Sequence, residues 1–365
     1  MRKFFQLLLR RPVFWLSKKF DSRPDKERIY NALSELFNKI ISKTGKKGVV
    51  IPSENFGGRF IIFSDQHKGC RNGSDDFAKS ESNYISALDY YHKSDFCFIN
   101  LGDCEELWEN TLPQIKKHNG KAFAAEKAFI LKDAFIKVFG NHDLYWANDP
   151  LAAIELETVY GVKLKPCEGV IITVNTGEKT LQIFCTHGHQ GDARSDGNWF
   201  SKFFVARIWA PFQAYLRINT NEPSNNEYKK TLHNEIMYEW ASTQKNIILI
   251  TGHTHQPVFE SLTHIERLNR QWYWAKEKND MDTVNRIYQE VSLYRDRFDT
   301  ISLDYSGYSP NYFNTGCCCY SDGDITGIEI DNGFIRLVKW KQERGESIRM
   351  VLEEKLLAEL GNRTN

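Results

Sequence analysis

The stretch Phe135-Ile-Lys-Val-Phe-Gly-Asn-His-Asp143 joins a short apolar run to a polar turn. The first five residues have the length and composition of a buried strand, and Gly140 permits a tight turn directly after it. The turn brings an amide, an imidazole and a carboxylate into three consecutive positions. Because open α/β sheets carry their sites outside the carboxyl ends of the strands, this stretch predicts both a strand and a site.

Four more polar clusters follow predicted strands in the same way. They are Ser64-Asp-Gln-His67, Gly102-Asp-Cys-Glu-Glu106, Thr186-His-Gly-His189 and Thr251-Gly-His-Thr-His255. Any one of them is a weak signal, since a lone Asp-x-His pair is most often part of a surface loop. Five in succession, each after a strand, argue against coincidence, and we expect their side chains to converge.

The converging groups are carboxylates, imidazoles and one amide oxygen, with no cysteine required. This mixture suits Mn, Fe or Zn and does not suit a cysteine-rich structural zinc site. Seven such ligands are too many for one tetrahedral ion and about right for two ions that share a bridging carboxylate. Two ions roughly 3.5–4 Å apart clamp an in-line displacement at phosphorus and generate a hydroxide nucleophile.

The motif set resembles the calcineurin-like metallophosphoesterases. Their pattern is Asp-x-His, Gly-Asp-x-x-Asp, Gly-Asn-His-Asp/Glu, a His, and Gly-His-x-His, and the resemblance covers residues 58–260, with a return at Asn314-Thr-Gly. It implies a phosphoric ester hydrolase that requires two divalent metal ions, Mn first and Fe or Zn as alternatives. It also implies a four-layer α-β-β-α sandwich with mixed sheets, which agrees with strands and helices that alternate early and hairpins that come late.

The resemblance assigns a role to each motif position. The expected metal ligands are Asp65, His67 and His255 for the first ion, Asp103 as the bridge, and Asn141, His187 and His253 for the second ion. His142 would be the general acid that protonates the leaving oxygen, and Asp143 would orient it.

Two further residues are candidate substrate contacts. His187 is the preferred ligand of the fourth motif because it immediately precedes Gly188, which leaves His189 to contact substrate. Arg194 follows the same motif, and its planar guanidinium suits phosphate oxygens. A surface arginine is an equally good interpretation of that residue.

The chain departs from the family pattern at two positions. Glu106 replaces the usual Asp of the second motif, which is a mild change because this side chain is generally not a ligand. Lys68 replaces a residue that is commonly apolar.

Within the family, the runs Gly-Asp-Cys-Glu-Glu-Leu-Trp108 and Thr-His-Gly-His-x-x-Asp192 look similar to the branch of UDP-2,3-diacylglucosamine diphosphatases. Those enzymes cleave a lipid-linked diphosphate and bind its acyl chains with a helical insertion. This chain has an aromatic stretch of helical spacing at the corresponding place. The similarity therefore favours an amphiphilic or nucleotide-linked phosphate substrate.

The sequence predicts one catalytic domain with additions. Residues 1–47 form a basic, amphipathic N-terminal helical extension, 48–342 the catalytic domain, and 343–365 a C-terminal helix or tail. Helical insertions are expected at 191–245 and 261–298, where a cap that contacts substrate is an alternative to core packing. The first twenty residues carry six Lys or Arg and no acid, so they either dock on an anionic membrane surface or pack on their own domain.

Composition limits the other classes of function. Lys and Arg total 48 against 47 Asp and Glu, which argues against a general nucleic-acid coat protein and makes nucleic acid an unlikely partner. A nuclease or cyclic-nucleotide phosphodiesterase, which use the same metals, and a non-catalytic scaffold with the same fold are the alternatives. Cys317 to Cys319 are consecutive, and others such as Cys97 and Cys185 lie in apolar runs, which indicates a reducing compartment and hence a cytoplasmic location. The basic residues 1–20 add a peripheral membrane location as an alternative. The oligomeric state is not readable from the sequence.

Overall fold

Two stacked β-sheets with helices on both outer faces make up the described part of this computed structural model, which covers residues 24–72, 75–177, 179–191, 227–291 and 310–360. Three separate apolar clusters fill the spaces between the four layers. The four-layer α-β-β-α sandwich expected from the sequence is therefore confirmed.

The elements follow one another as the motif pattern requires. The strands β1 to β13 are Gly48–Pro52, Phe60–Phe63, Cys97–Leu101, Phe135–Val138, Gly169–Asn175, Thr180–Thr186, Ile247–Thr251, Val258–Phe259, Leu262–Thr263, Tyr312–Asn314, Ile325–Asp331, Phe334–Glu343 and Glu346–Leu356. The α-helices α1 to α9 of the described residues are Lys26–Ser42, Glu81–Lys93, Leu112–His118, Gly120–Ile130, Tyr145–Asn148, Ala152–Tyr160, Glu227–Ser242, His264–Glu277 and Met281–Val291.

The short strand β2 shows why its sequence is apolar throughout. Phe60 and Ile62 point into the cluster between the sheets, whereas Ile61 and Phe63 point into the cluster beneath α2 and α4. Successive side chains of a strand point to opposite faces, so a strand covered on both sides needs apolar residues at every position. All four side chains are fully buried.

The outer helix α1 forms because its start and its apolar stripe are both encoded locally. The side chain of Asp25 accepts a hydrogen bond from the backbone N–H of Arg28 at 2.9 Å, which caps the first turn. The buried residues Ile29, Leu33 and Ile40 repeat at helical spacing on one face. That face packs with α7 against the seven-stranded sheet.

Sheet topology gathers the motif loops at one edge. The six-stranded sheet has the order β13-β12-β11-β2-β3-β4, and the seven-stranded sheet has the order β1-β5-β6-β7-β10-β8-β9. β2, β3 and β4 are parallel, and so are β6, β7 and β10. Because parallel neighbours end at the same edge, the loops that follow these six strands lie together.

The C-terminal segment differs from the expected helix or tail over 343–365. Residues Glu346–Leu356 form strand β13, which pairs antiparallel with β12, so the sheet continues past residue 342. Arg344 and Gly345 both have left-handed backbone, with φ of 53° and 87°, as the two central residues of a tight hairpin turn require. The hairpin turn and the hydrogen-bonding edge of β12 together determine that this segment forms a strand.

The two expected insertions are described in part. Residues 192–226 of the first lie outside the described residues, and its remainder is α7, whose Met237 and Trp240 pack in the outer helical layer of the sandwich. The second insertion begins as the helical hairpin α8–α9, held by contacts of Leu268 and Trp272 with Ile287. The basic residues 1–20 also lie outside the described residues. No described helix combines the length and hydropathy that crossing a membrane requires.

Candidate dinuclear metal centre

Asp65 begins the first half of the site, directly after β2. Its carboxylate is fully buried, and Oδ1 receives no hydrogen bond of good geometry, although Nε2 of His255 lies 3.2 Å away. Nε2 of His67 lies 3.2 Å from Nε2 of His255. At this separation the two ring nitrogens cannot both carry a proton, whereas a cation between them would satisfy both lone pairs and the carboxylate.

Asp103 occupies the centre of the site, directly after β3. Its Oδ2 lies 3.2 Å from Nε2 of His187 and 3.8 Å from Nε2 of His67. Its Oδ1 accepts a hydrogen bond from the backbone N–H of His142 at 2.8 Å. One carboxylate therefore faces histidines from both halves of the expected ligand set.

The second half of the site joins loops from both sheets. Oδ1 of Asn141 lies 3.3 Å from Nε2 of His187, and the His187 ring lies 5.3 Å from the His253 ring. Ligand atoms of Asp103, His187 and His253 all lie within 4.8 Å of one another. The backbone N–H of His253 donates to Oδ2 of Asp65 at 3.0 Å, which ties the two halves together.

Five of the seven expected ligands have left-handed backbone, a conformation that side-chain-bearing residues rarely adopt. The φ values are 53° for Asp65, 50° for His67, 50° for Asp103, 69° for His253 and 57° for His255. Strained backbone of this kind is retained where a function needs it. Here it turns each side chain back over the strand end and toward the common centre.

Two motif glycines leave room for the carboxylates. A Cβ on Gly140 would collide with Oδ1 of Asp103, and a Cβ on Gly252 would lie 2.5 Å from Oδ2 of Asp65. In both cases the added Cβ would lie closer to the carboxylate oxygen than van der Waals contact allows. The glycines of the third and fifth motifs are thus required by close approach to an acidic side chain of another loop.

The electrostatics of the centre pair acidic carboxylates with basic imidazoles. Burial opposes protonation of His187 and His255, but the charges of Asp103 and Asp65 outweigh it and raise the pKa of each to about 9. Burial together with the charges of His233 and His187 lowers the pKa of His253 well below its usual value. Burial opposes ionisation of Asp65 and Asp103, but charged histidines outweigh it and lower both pKa values. The charges of His255 and His187 act on Asp65, and those of His187 and His142 act on Asp103.

Glu106 makes a double contact that the sequence did not reveal. Its Oε2 lies 2.9 Å from Nδ1 of His67 and 2.8 Å from Nδ1 of His142. Burial opposes its ionisation, but the charge and hydrogen bond of His142 outweigh burial and lower the pKa of Glu106 to about 2. The indole of Trp108 stacks on the His142 ring at 4.0 Å and 20°, so His142 is held on two sides.

Asp143 does not make the contact with His142 that we expect from the family pattern. Its Oδ1 and Oδ2 accept hydrogen bonds from the backbone N–H groups of Gly140 and Cys104, at 2.5 and 2.9 Å. Burial is the main reason that its pKa is raised to about 6. Asp143 therefore fastens the second and third motif loops, and the group on Nδ1 of His142 is Glu106.

The expected substrate contacts have different outcomes. His189 is buried, with its ring 5.4 Å from that of His187, and Arg194 lies outside the described residues. His233 of α7 is an addition: its Nε2 lies 2.8 Å from the carbonyl oxygen of Gly188, and its ring lies 5.2 Å from the His253 ring. A single histidine within a helix carries no motif, so only the fold could have found it.

The residues present fit two divalent cations. The carboxylate oxygens and ring nitrogens that face one another at 3.2–3.8 Å are ligand types that Mn, Fe and Zn share. A cation held by Asp65, His67 and His255 would account for the unsatisfied Oδ1 of buried Asp65 and for the facing ring nitrogens. The cluster of Asp103, His187 and His253 would hold the second cation.

Comparison with known proteins places the chain in a family. Vacuolar Protein Sorting 29 from Cryptosporidium parvum is similar at 11% identity and a TM-score of 0.32, over 82% of this chain and 99% of that one. A dimetal phosphatase from Danio rerio is similar at 9% identity and a TM-score of 0.36, over 81% and 99%. No curated protein matches the sequence. The model of the calcineurin-like phosphoesterase family matches residues 58–257, more than half of the chain, and the chain belongs to that family.

Proposed function

We propose that the protein is a dimetal phosphoesterase that hydrolyses a phosphomonoester, phosphodiester or diphosphate. The observation that carries this proposal is the position of Asp103, whose carboxylate faces His67 at 3.8 Å and His187 at 3.2 Å. Asp65, His67 and His255 would hold the first ion with Asp103. Asn141, His187 and His253 would hold the second, with Mn²⁺ as the first choice of metal.

Two bound cations would supply Lewis acidity toward phosphate oxygens and a hydroxide nucleophile near neutral pH. The protein's own part begins with alignment. The backbone hydrogen bonds of His142 and His253 to Asp103 and Asp65 fix both carboxylates before substrate arrives. Preorganised charge of this kind lowers the barrier because it needs no rearrangement during the reaction.

His142 is our proposed general acid for the leaving oxygen. Its Nδ1 is occupied by Glu106, which leaves Nε2 as the atom that transfers the proton. Trp108 on one ring face and the His67 ring, edge-on at 4.7 Å, keep the imidazole from rotating away. Positioned general acids of this kind contribute roughly 10²–10⁴-fold in rate.

The substrate that we propose is an amphiphilic or nucleotide-linked phosphate, met in the cytoplasm or at the membrane surface. The basic and apolar residues 1–20 support an anionic membrane as a partner. Helices α8 and α9 support an apolar moiety, because Tyr273, Trp274, Met281 and Tyr288 are about half exposed or more. We keep His189 and Arg194 as proposed substrate contacts.

The test begins with metal content and two chromogenic esters. Purified full-length protein loaded with Mn²⁺ is assayed on p-nitrophenyl phosphate and on bis-p-nitrophenyl phosphate. Asp103→Asn should lower the bound metal and abolish hydrolysis, whereas Asp89→Asn, an exposed carboxylate of α2, should change neither. Undiminished hydrolysis by Asp103→Asn would overturn the proposal.

A wider panel separates the substrate classes. Single- and double-stranded DNA, a cyclic nucleotide, a nucleotide-linked sugar and a diacylated sugar diphosphate are incubated with the same Mn²⁺-loaded protein. Faster cleavage of DNA than of the sugar phosphates would favour the nuclease alternative. Full metal loading without turnover on any member of the panel would favour the non-catalytic scaffold.

A further inference from the structure

Three consecutive cysteines lie beside the first half of the metal centre. Cys317 to Cys319 follow β10 after the turn at residues 314–316, and the backbone N–H of Cys318 donates to the carbonyl oxygen of Asp65 at 3.2 Å. All eight cysteines of the chain are free thiols, so none of these sulfurs is committed to a disulfide. The segment is thus fastened to the first motif and carries thiols that the proposed reaction does not use.

The orientation of His255 decides which atom meets the sulfur. Nε2 of His255 faces Asp65 Oδ1 and His67 Nε2, each at 3.2 Å. Nδ1 faces Sγ of Cys319 at 3.8 Å. Ring nitrogens of His67 and His255 and the sulfur also lie within 4.8 Å of one another, so the sulfur is close enough to be either the partner of Nδ1 or a ligand of the first cation.

Two other histidines of the expected ligand set show what this position requires. Nδ1 of His67 lies 2.9 Å from the carboxylate of Glu106, and Nδ1 of His187 lies 2.9 Å from the carbonyl oxygen of Leu101. A neutral imidazole that binds a cation through Nε2 carries its proton on Nδ1 and needs an acceptor there. At His255 the atom in the acceptor position is a sulfur.

The neighbouring thiols divide into two kinds. Cys317 is buried and close enough to Cys319 and His255 to interact with both, so a substitution there would also disturb the site. The side chain of Cys318 is buried in the apolar cluster beneath α2 and α4 with Phe63, and its contact with Asp65 is made by the backbone N–H, which a substitution to Ala keeps. Cys318 thus offers a thiol on the same segment that a substitution can remove without touching the site.

We propose that Cys319 is a positioning residue of the first metal site, whose sulfur accepts the Nδ1–H of His255 and keeps Nε2 directed at the cation. The inference rests on the metal centre proposed above and not on the reaction. The hydroxyl of Tyr320 supports it by donating to the carbonyl oxygen of His255 at 3.2 Å, which fixes the backbone on the same side. Removal of such a partner typically weakens metal binding roughly 10–100-fold.

The test titrates Co²⁺ into full-length, metal-free protein under reducing conditions and follows its visible absorption. Cys319→Ala should weaken one of two Co²⁺ equivalents by roughly 10–100-fold. Cys319→Ser, which restores an acceptor, should fall between Cys319→Ala and the native chain. Cys318→Ala should bind as the native chain does, and thermal unfolding of each variant verifies that it is folded.

Three outcomes would overturn the inference. One is a Co²⁺ affinity of Cys319→Ala equal to that of the native chain. Another is an equal loss of Co²⁺ affinity in Cys318→Ala, which would show that the effect comes from packing. The third is a sulfur-to-cobalt charge-transfer band that Cys319→Ala abolishes, since the thiolate would then be a ligand. A native chain that binds two Co²⁺ and hydrolyses nothing would defeat the proposed function and leave this inference standing.

Discussion

Oε2 of Glu106 lies 2.8 Å from Nδ1 of His142 and belongs to the same carboxylate that meets Nδ1 of His67 at 2.9 Å. One side chain therefore orients both a proposed metal ligand and the proposed general acid. Glu106 stands where the family pattern has an Asp, whose side chain is shorter by one methylene. Metal affinity and proton transfer should then depend on the same residue.

Glu106→Gln should lower both metal affinity and turnover. The amide keeps an oxygen for one imidazole but loses the negative charge that holds two, and loss of such a partner costs roughly 10–100-fold. Metal titration and kcat on a chromogenic ester measure the two effects separately. Glu109→Gln, an exposed residue of the same loop, is the matched control. Loss of kcat with native metal affinity would show that Glu106 serves His142 alone.

His142→Asn should slow hydrolysis in proportion to how much the leaving oxygen needs a proton. For an alkyl phosphate the loss should approach roughly 10²–10⁴-fold, because an alkoxide leaves poorly without protonation. For p-nitrophenyl phosphate the loss should be smaller, since p-nitrophenolate is already a stable anion. The ratio of the two losses is the measurement, with the exposed His118→Asn as control. Equal losses on both esters would argue that His142 stabilises charge without transferring a proton.

Metal binding should release protons and strengthen as pH rises. In the metal-free protein the pKa of His187 and His255 is raised to about 9, so both are protonated at neutral pH and must lose a proton to bind a cation. At pH values below about 9, the apparent metal affinity should rise about tenfold per pH unit for each proton that binding releases. Calorimetry in buffers of different ionisation enthalpy counts the protons at pH 7. Proton release near zero would contradict the raised pKa values.

The free energy of unfolding of the metal-free protein should fall as pH rises, whereas its metal affinity should increase. The folded-state pKa of His187 and His255 lies above the unfolded value of about 6.5. Their protonation therefore contributes fully to the free energy of unfolding below pH 6.5. It is lost as pH rises toward 9. The free energy of unfolding of the metal-free chain should therefore fall between pH 6.5 and 9, whereas the Mn²⁺-loaded chain should show a smaller fall. Urea denaturation at several pH values measures both.

The sequence predicted the strand ends and their motifs because those signals are local. A buried strand such as Phe60–Phe63 and the glycine after a strand each depend only on neighbouring residues, so the ligand loops could be recognised before any fold was known. The double contact of Glu106, the approach of His233 to His253 and the sulfur on His255 depend on separations of 20 to 64 residues. Nothing in the local pattern encodes such contacts.

The C-terminal strand shows a different limit. Ile348, Val351 and Leu352 recur at spacings of three and four, which a helix also satisfies, while Ile348, Met350 and Leu352 alternate as in a strand. Both patterns are present in β13, and the pairing with β12 decides between them. Local periodicity could not settle a segment whose partner strand lies next to it only after the hairpin forms.

Deletion of residues 1–20 should test the proposed membrane partner directly. The six basic residues of this segment should attract anionic lipid at roughly 1 kcal/mol each near the surface, and salt should weaken the attraction. Co-sedimentation with phosphatidylserine-containing vesicles, at low and high salt, compares the full chain with the deletion. Neutral phosphatidylcholine vesicles are the control. Unchanged binding after deletion would reject this segment as the membrane contact.

Lys68→Met should destabilise the fold strongly although the family commonly has an apolar residue there. The Lys68 ammonium is fully buried, 2.5 Å from Glu126 and 3.2 Å from Glu105, and Lys137 meets Glu105 at 2.9 Å. Removing one partner leaves an uncompensated buried charge, which costs about 3–5 kcal/mol. Urea denaturation should show that loss, while Lys93→Met, an exposed lysine paired with Asp89, should change stability by less than about 1 kcal/mol. Lys68→Met/Glu126→Gln should recover part of the loss, because it removes both charges of the closest pair; a double variant as unstable as the sum of its single variants would show that the two side chains are not coupled.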